Sequence, residues 1–234
     1  VGHAQAAALR AMYGIPAARL RVLWNGVDDA LRAAPASPAG GASPPVILSV
    51  STVTAQKGLE HLIDAARMLR DGGDNFRLEI VGDGPLRASL EARSHAHALE
   101  GNVLFRGWVP QASAHALPTA DIFVQSSLWE AMSVVVLEAM AAGKPMVVTR
   151  VGENPHVLDG ENNGLLVPPG DPGALAEALR RLLRDAQLRA RLGAAARAHY
   201  LANFTTRHMI AAYQSLYREL AQPAAATARA SGIS

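Results

Sequence analysis

"ADIFVQSSLWEAMSVVVLEAMAAGKPMVV" (residues 120–148) reads as one complete turn of alternating structure. D-I-F-V-Q (121–125) is a short, nearly continuous apolar run of strand type. S-S-L-W-E leads away from it as a loop, and a helix is expected from about Ser133, an N-cap by residue type, to about 142. M-V-V-T (146–149) is a second strand. Strand, helix and strand in succession build a parallel sheet, and strands buried on both faces carry no polar alternation.

Outward from this unit the same alternation continues. V-I-L-S-V (46–50), F-R-L-E-I-V (76–81), N-V-L-F-R (102–106) and the shorter L-L-V (165–167) are strand candidates. Helical stretches are expected near 57–70, 85–98 and 172–184, and 172–221 is almost wholly helical with a break at N-F-T-T (203–206). The fold class is therefore α/β, a doubly wound parallel sheet with C-terminal helices. Residues 33–45, A-A-P-A-S-P-A-G-G-A-S-P-P, cannot hold regular structure and read as a loop. Before them come a helix, a Y-G-I-P turn, a short strand R-V-L-W (21–24) and N-G-V-D (25–28). The division expected is 1–32, the loop 33–45, a Rossmann-like domain 46–203, a C-terminal helix 204–222 and a frayed tail 223–234. The chain opens on Val1 inside a helix-like run and is read as a piece of a longer protein.

Of 234 residues, 50% are apolar and 18% charged, an ordinary globular balance with a core of useful size. The net charge of +2 and the scattered arginines, never gathered with aromatics, argue against a nucleic-acid partner. Without cysteine there are no disulfides or thiolate metal sites, which fits a reducing compartment. No apolar run approaches the ~20 residues that span a bilayer. No His or carboxylate pair has metal-ligand spacing; His95 and His97 fall on different faces of a helix and read as surface.

Two carboxylates stand out in the opening stretch. Glu130 falls in a strand-to-helix loop at the carboxyl end of a parallel strand, where open α/β sheets bind ligands. Glu138 falls about one and a half turns into the helix, with apolar Val134, Val135, Ala141 and Ala142 around it. A carboxylate so placed needs donors. It either pairs with a backbone group or an Arg, or it receives the hydroxyls of a ribose or sugar while the helix N-terminus faces a phosphate.

With these residues in view, the chain resembles the C-terminal, donor-binding domain of family 4 retaining glycosyltransferases (glycosyl transferases group 1), which have the GT-B fold. The resemblance rests on an ordered set over about residues 15–220. It comprises N-G-V-D (25–28), S-V-S-T-V-T-A-Q-K-G-L-E-H-L-I-D-A-A (49–66), I-V-G-D-G-P-L-R (80–87), V-L-F-R-G-W-V (103–109), A-D-I-F-V-Q-S-S-L-W-E (120–130), L-E-A-M-A-A-G-K-P-M-V-V (137–148) and N-G-L-L-V-P-P-G-D (163–171).

The resemblance implies that Lys57 contacts the donor diphosphate, that Glu138 accepts the ribose hydroxyls, and that Glu130 contacts the transferred sugar. It implies main-chain donors at Met132, Ser133 and Val134, with Val109 of G-W-V near the base. V-G-D-G-P (81–85) lacks the G-x-G-x-x-G spacing of a nicotinamide site; it reads as a strand-end turn first, with Gly82 a pocket wall second. The resemblance further implies a nucleotide-diphosphate sugar donor, no metal or other cofactor, and retention at the anomeric carbon. Residues 1–32 become the end of an acceptor-binding domain otherwise missing, and 204–222 a helix crossing back to it. The partners implied are a glycan or lipid-linked acceptor, in a cytoplasmic protein with peripheral contact at the inner face of the membrane. The 234-residue piece alone is expected to bind donor weakly and to transfer nothing.

The chain also departs from the family pattern. Thr52 stands where an Arg is usual, as V-S-T-V replaces V-G-R-L; E-A-M-S (130–133) replaces E-G-F-G; G-E-N-P-H (152–156) replaces G-G-x-x-E. Glu153 is expected to add negative charge to the pocket and His156 to remove it. The departures fit an altered donor, a rearranged cation (Arg150 by position), or a degenerate subunit that binds without turnover.

Overall fold

The computed structural model describes residues 2–29, 43–160 and 162–221. In chain order the elements are α1 (His3–Tyr13), β1 (Val46–Val50), α2 (Leu59–Asp71), β2 (Arg77–Val81), α3 (Arg87–Ala96), β3 (Val103–Gly107), α4 (Ala112–Ala116), β4 (Ile122–Gln125), α5 (Val134–Ala141), β5 (Met146–Thr149), α6 (Asn154–Val157), β6 (Leu165–Val167), α7 (Pro172–Arg184), α8 (Ala186–Asn203) and α9 (Thr206–Ala221). The expected loop 33–45 lies outside the described residues as far as 42, and so does the expected tail 223–234.

All strands pair in parallel, in the order β3-β2-β1-β4-β5-β6. The order reverses between β1 and β4, so a crevice opens there at the carboxyl ends of the strands. Each face of the sheet carries its own core. On one side Leu62, Ile63, Leu69, Leu78, Ile80, Val124, Val147, Leu175 and Leu179 pack together under α2, α3 and α7. On the other, Leu48, Phe123, Leu137, Met140, Val148, Tyr200 and Phe204 pack under α5 and α8. Alternate residues of β1 and β4 serve opposite cores, which is why these strands read as continuous apolar runs.

Buried polar groups tie the sheet to its helices. Asp121 Oδ2 accepts the Val46 N–H at 2.8 Å. Lys144, 3% exposed, donates to the Ala120 carbonyl at 2.8 Å; burial depresses its pKa, and nearby Asp121 opposes the shift only in part.

Two sequence expectations are corrected. R-V-L-W (21–24) forms no strand; among the described residues of this segment Val27 alone makes an isolated parallel bridge, to Thr205. The segment runs beside α8 and α9 instead, with Trp24 edge-on to Phe204 at 5.9 Å and Arg21 paired to Glu219 at 2.6 Å. His97 is not a free surface group, since its Nε2 lies 3.1 Å from Asp64 Oδ1. No helix among the described residues is long and apolar enough to cross a membrane.

Candidate functional site

The crevice between β1 and β4 has a volume of about 230 Å³. Ser49 to Thr52 and Lys57 line one wall; Val124 to Ser127, Ser133 and Val135 line the other. A short 3₁₀ turn, Ala55–Lys57, follows β1 and brings Lys57 across to the loop after β4. Lys57 Nζ meets Glu130 Oε1 at 2.5 Å, and Ser127 Oγ donates to the same oxygen at 2.8 Å. The loop between them is clamped from both sides. Leu128 N–H donates to the Gln56 carbonyl at 2.8 Å, and Gln56 Nε2 donates to the Trp129 carbonyl at 3.0 Å.

Thr52 and Ser133 share this crevice with Lys57. Ser133 occupies the N-cap position of α5 as expected, yet its side chain makes no capping bond; Oγ accepts from Gln125 Nε2 at 2.7 Å instead. Val134, 44% exposed, opens the helix, and Met132 is half-buried with its sulfur 3.5 Å from the Asn25 N–H. Arg150, exposed at the end of β5, is not among the residues that line the crevice.

Glu138 faces a second, larger cavity of about 530 Å³, lined by Gly26 to Asp28, Gln111 to Ala114 and Thr206. Its Oε2 accepts a short hydrogen bond, 2.5 Å, from Ser113 Oγ on α4. The donor that its apolar surroundings demanded is thus a hydroxyl. Val109 lines a neighbouring cavity of about 280 Å³ with Glu79, Arg106 and His115, and Trp108 is exposed. Gly82 directly follows β2 with φ +139°, and a Cβ there would lie 1.8 Å from the Ser51 carbonyl oxygen. V-G-D-G-P leaves the end of β2 and enters a turn at Pro85 and Leu86, where the Arg87 N–H donates to the Gly84 carbonyl at 3.1 Å, and Asp83 Oδ1 accepts the Gly84 N–H at 2.7 Å.

Glu153 is the main correction. It does not place its charge in the crevice. The carboxylate is fully buried and accepts from the first turn of α1, from His3 N–H at 2.9 Å and Ala4 N–H at 2.7 Å. A carboxylate at a helix N-terminus is stabilised by the partial positive charge there. Its own N–H donates to the Ala131 carbonyl at 2.9 Å, so one residue links α1 to the loop that carries Glu130. His156 stacks on His3 at 5.0 Å.

Sequence reasoning missed Ser51, Gln125, Asn154 and Ser113. For Gln125 a signal was present, an amide closing an otherwise apolar strand. Ser113 has no such mark, because it meets Glu138 only through tertiary packing.

The arrangement is thus a switch-point crevice with a paired Lys57 and Glu130 and a second carboxylate, Glu138, about one and a half turns into α5. Residues 33–199 match the model of the family "Glycosyl transferases group 1". The chain belongs to the glycosyl transferases group 1. Within that family it is 35% identical over 173 residues to the putative colanic acid biosynthesis glycosyltransferase WcaL of Escherichia coli (strain K12), covering 71% of this chain and 42% of that protein. It is 33% identical over 177 residues to the lipopolysaccharide core biosynthesis glycosyltransferase LpsE of Rhizobium meliloti (strain 1021), covering 75% and 50%. The chain spans about half or less of the length of these curated relatives. Among solved structures, sucrose-phosphate synthase of Thermosynechococcus elongatus is similar with a TM-score of 0.80 at 28% identity, over 94% of this chain and 57% of that one. Anabaena HepE, solved in complex with UDP, shares the fold with a TM-score of 0.81 at 24% identity, over 94% and 62%.

Proposed function

We propose that this group 1 chain is the donor-binding half of a glycosyltransferase. It binds a nucleotide-diphosphate sugar whose sugar is passed to a glycan or lipid-linked acceptor. The observation that carries the reading is the placement of the E-x7-E pair. Glu130 is held on Lys57 at the switch point, and Glu138 stands at a neighbouring cavity of about 530 Å³, a size that suits a nucleoside. Ser113 already gives Glu138 the kind of O–H donor that a ribose hydroxyl would supply.

In this reading Lys57, Thr52 and the main chain at Met132 to Val134 serve the diphosphate. Glu130 serves the sugar, Glu138 the ribose, Gly82 forms a wall, and Val109 lies toward the base. The reading includes retention at the anomeric carbon and a leaving diphosphate steadied by Lys57 and helix N-termini rather than by a resident metal. It includes a cytoplasmic protein working at the inner face of the membrane, in keeping with relatives named for colanic acid and lipopolysaccharide core synthesis. The acceptor half belongs to a longer protein.

The test is a titration with UDP-, GDP- and ADP-sugars, repeated on Glu138→Ala. One base class is expected to bind, and Glu138→Ala to weaken it at least tenfold. Undiminished binding by that variant removes the ribose role.

One observation favours a second reading. Lys57, the one Lys or Arg lining the crevice among the described residues, is already paired with Glu130, while Thr52 supplies no charge. A sugar-nucleotide-binding or scaffold subunit without turnover fits that balance. Release of nucleotide from the bound donor in the presence of acceptor extract separates the two.

A further inference from the structure

The switch-point crevice contains a polar network that the reading above leaves without a task. Gln125 closes β4 after Ile122, Phe123 and Val124 and is buried. Its Oε1 accepts from Asn154 Nδ2 at 2.7 Å, and its Nε2 donates to Ser133 Oγ at 2.7 Å. Asn154, also buried, is fixed by a second bond to the Thr149 carbonyl at 2.9 Å.

An amide N–H can only donate. Ser133 Oγ is therefore the acceptor in this contact, and its own proton is left for another partner. Ser133 makes no capping bond to α5 while it holds this contact, and the first N–H groups of a helix have no intrahelical acceptor. On the opposite wall Ser51 Oγ is buried with no hydrogen-bond partner, a condition that calls for an explanation in a folded protein. Ser51, Ser133, Gln125 and Lys57 line the same crevice. Its walls thus offer two hydroxyl protons and an uncapped helix end, and the group that answers them is compact, anionic and rich in acceptor oxygens.

We infer that Gln125, braced by Asn154, is a positioning residue that keeps α5 uncapped, so that the Ser51 and Ser133 hydroxyls seat the donor diphosphate where the family pattern uses a guanidinium. This rests on the sugar-nucleotide reading above. It also makes the seat one of neutral donors, short in reach and less sensitive to salt than an Arg.

The experiment is calorimetric titration of the protein with UDP, GDP and ADP, and with uridine, guanosine and adenosine. Ser51→Ala and Ser133→Ala are each expected to weaken the bound nucleoside diphosphate by about three- to tenfold, the range of one neutral hydrogen bond, while nucleoside affinity stays level. Gln125→Leu frees Ser133 to cap α5 and is expected to weaken the diphosphate about tenfold. Gln125→Glu keeps the acceptor for Asn154 but forces Ser133 to donate to a carboxylate, and is expected to weaken it further. That variant carries the test if the Leu variant does not fold. The measured quantity is the ratio of diphosphate to nucleoside affinity, which a purely structural role would not change. Parent-like ratios in Ser51→Ala and Ser133→Ala overturn the inference, and leave the donor reading standing if Glu138→Ala still loses binding. A parent that binds no nucleoside diphosphate overturns both.

Discussion

Lys57 Nζ lies 2.5 Å from Glu130 Oε1, joining the turn after β1 to the loop after β4 across the point where the strand order reverses. The side chains are 19% and 9% exposed. A charge-assisted bond this sheltered is stronger than a surface ion pair, and its cost is that neither partner can be left alone. The loop end is pinned in turn, as Thr149 Oγ1 donates to the Ser127 carbonyl at 2.6 Å. The sheet therefore fixes Glu130 through a chain of short bonds rather than leaving it on a free loop.

Lys57→Met strands a largely buried carboxylate with one hydroxyl donor. The expected loss is about 2–4 kcal/mol in chemical denaturation. Adding Glu130→Gln should recover part of it. A double-mutant coupling energy below about 0.5 kcal/mol would show that the pair contributes nothing to the fold.

Glu153 is the contact that caps α1. Gly2 packs so closely on it that a Cβ at Gly2 would lie 2.2 Å from the Glu153 carboxyl carbon, and no residue of α1 itself is buried. Glu153→Ala should therefore expose the amides of His3 and Ala4 to rapid hydrogen exchange while strands β1 and β4 stay protected, at a cost of about 1–2 kcal/mol. Unchanged protection of those two amides would mean that the ring contacts of His3, stacked on His156 and tilted against Trp24, hold the helix without the carboxylate.

The sheet was legible because its strands are short apolar runs set off by Gly and Pro, and α7 begins at Pro172 after Asp171, whose side chain caps it. The carboxylate pair was legible too, because its members share one loop and helix. What escaped the sequence has a common cause. α4 and α6 are too short to show a helical period, and R-V-L-W has strand-type residues but does not join the sheet. Glu153 looked like a charge against the ligand because its partners lie 149 and 150 positions away along the chain. Spacing along a sequence cannot report such distant donors.

Asp64 supplies a pH test. Burial raises its pKa, but hydrogen bonds from Arg93 at 2.6 Å and 2.9 Å and from His97 outweigh this, and hold the carboxyl below its ordinary value. A carboxylate whose folded pKa is depressed adds stability that is fully present above the unfolded pKa and is lost as pH falls through the folded one. Asp64→Asn should therefore be less stable than the parent by about 1 kcal/mol near neutrality, and the gap should close below about pH 4. A gap that persists at pH 2 would assign the effect to packing.

Gly82 carries the sharpest prediction, because two separate costs fall on one position. Its φ of +139° is closed to ordinary L residues, and a Cβ would stand 1.8 Å from the Ser51 carbonyl oxygen, a backbone atom that cannot swing aside. Ser51 is held there by its own N–H, which donates to the Val81 carbonyl at 3.0 Å, so relief would require parting β1 from β2 at the mouth of the crevice. Gly82→Ala is expected to cost more than about 3 kcal/mol. Gly73 is the control, with φ +76° and nothing within 4 Å of a new Cβ. Gly73→Ala meets the backbone cost alone, about 1 kcal/mol. If thermal unfolding gives the two variants equal losses, the close approach of Gly82 to Ser51 is not what holds the end of β1 in place.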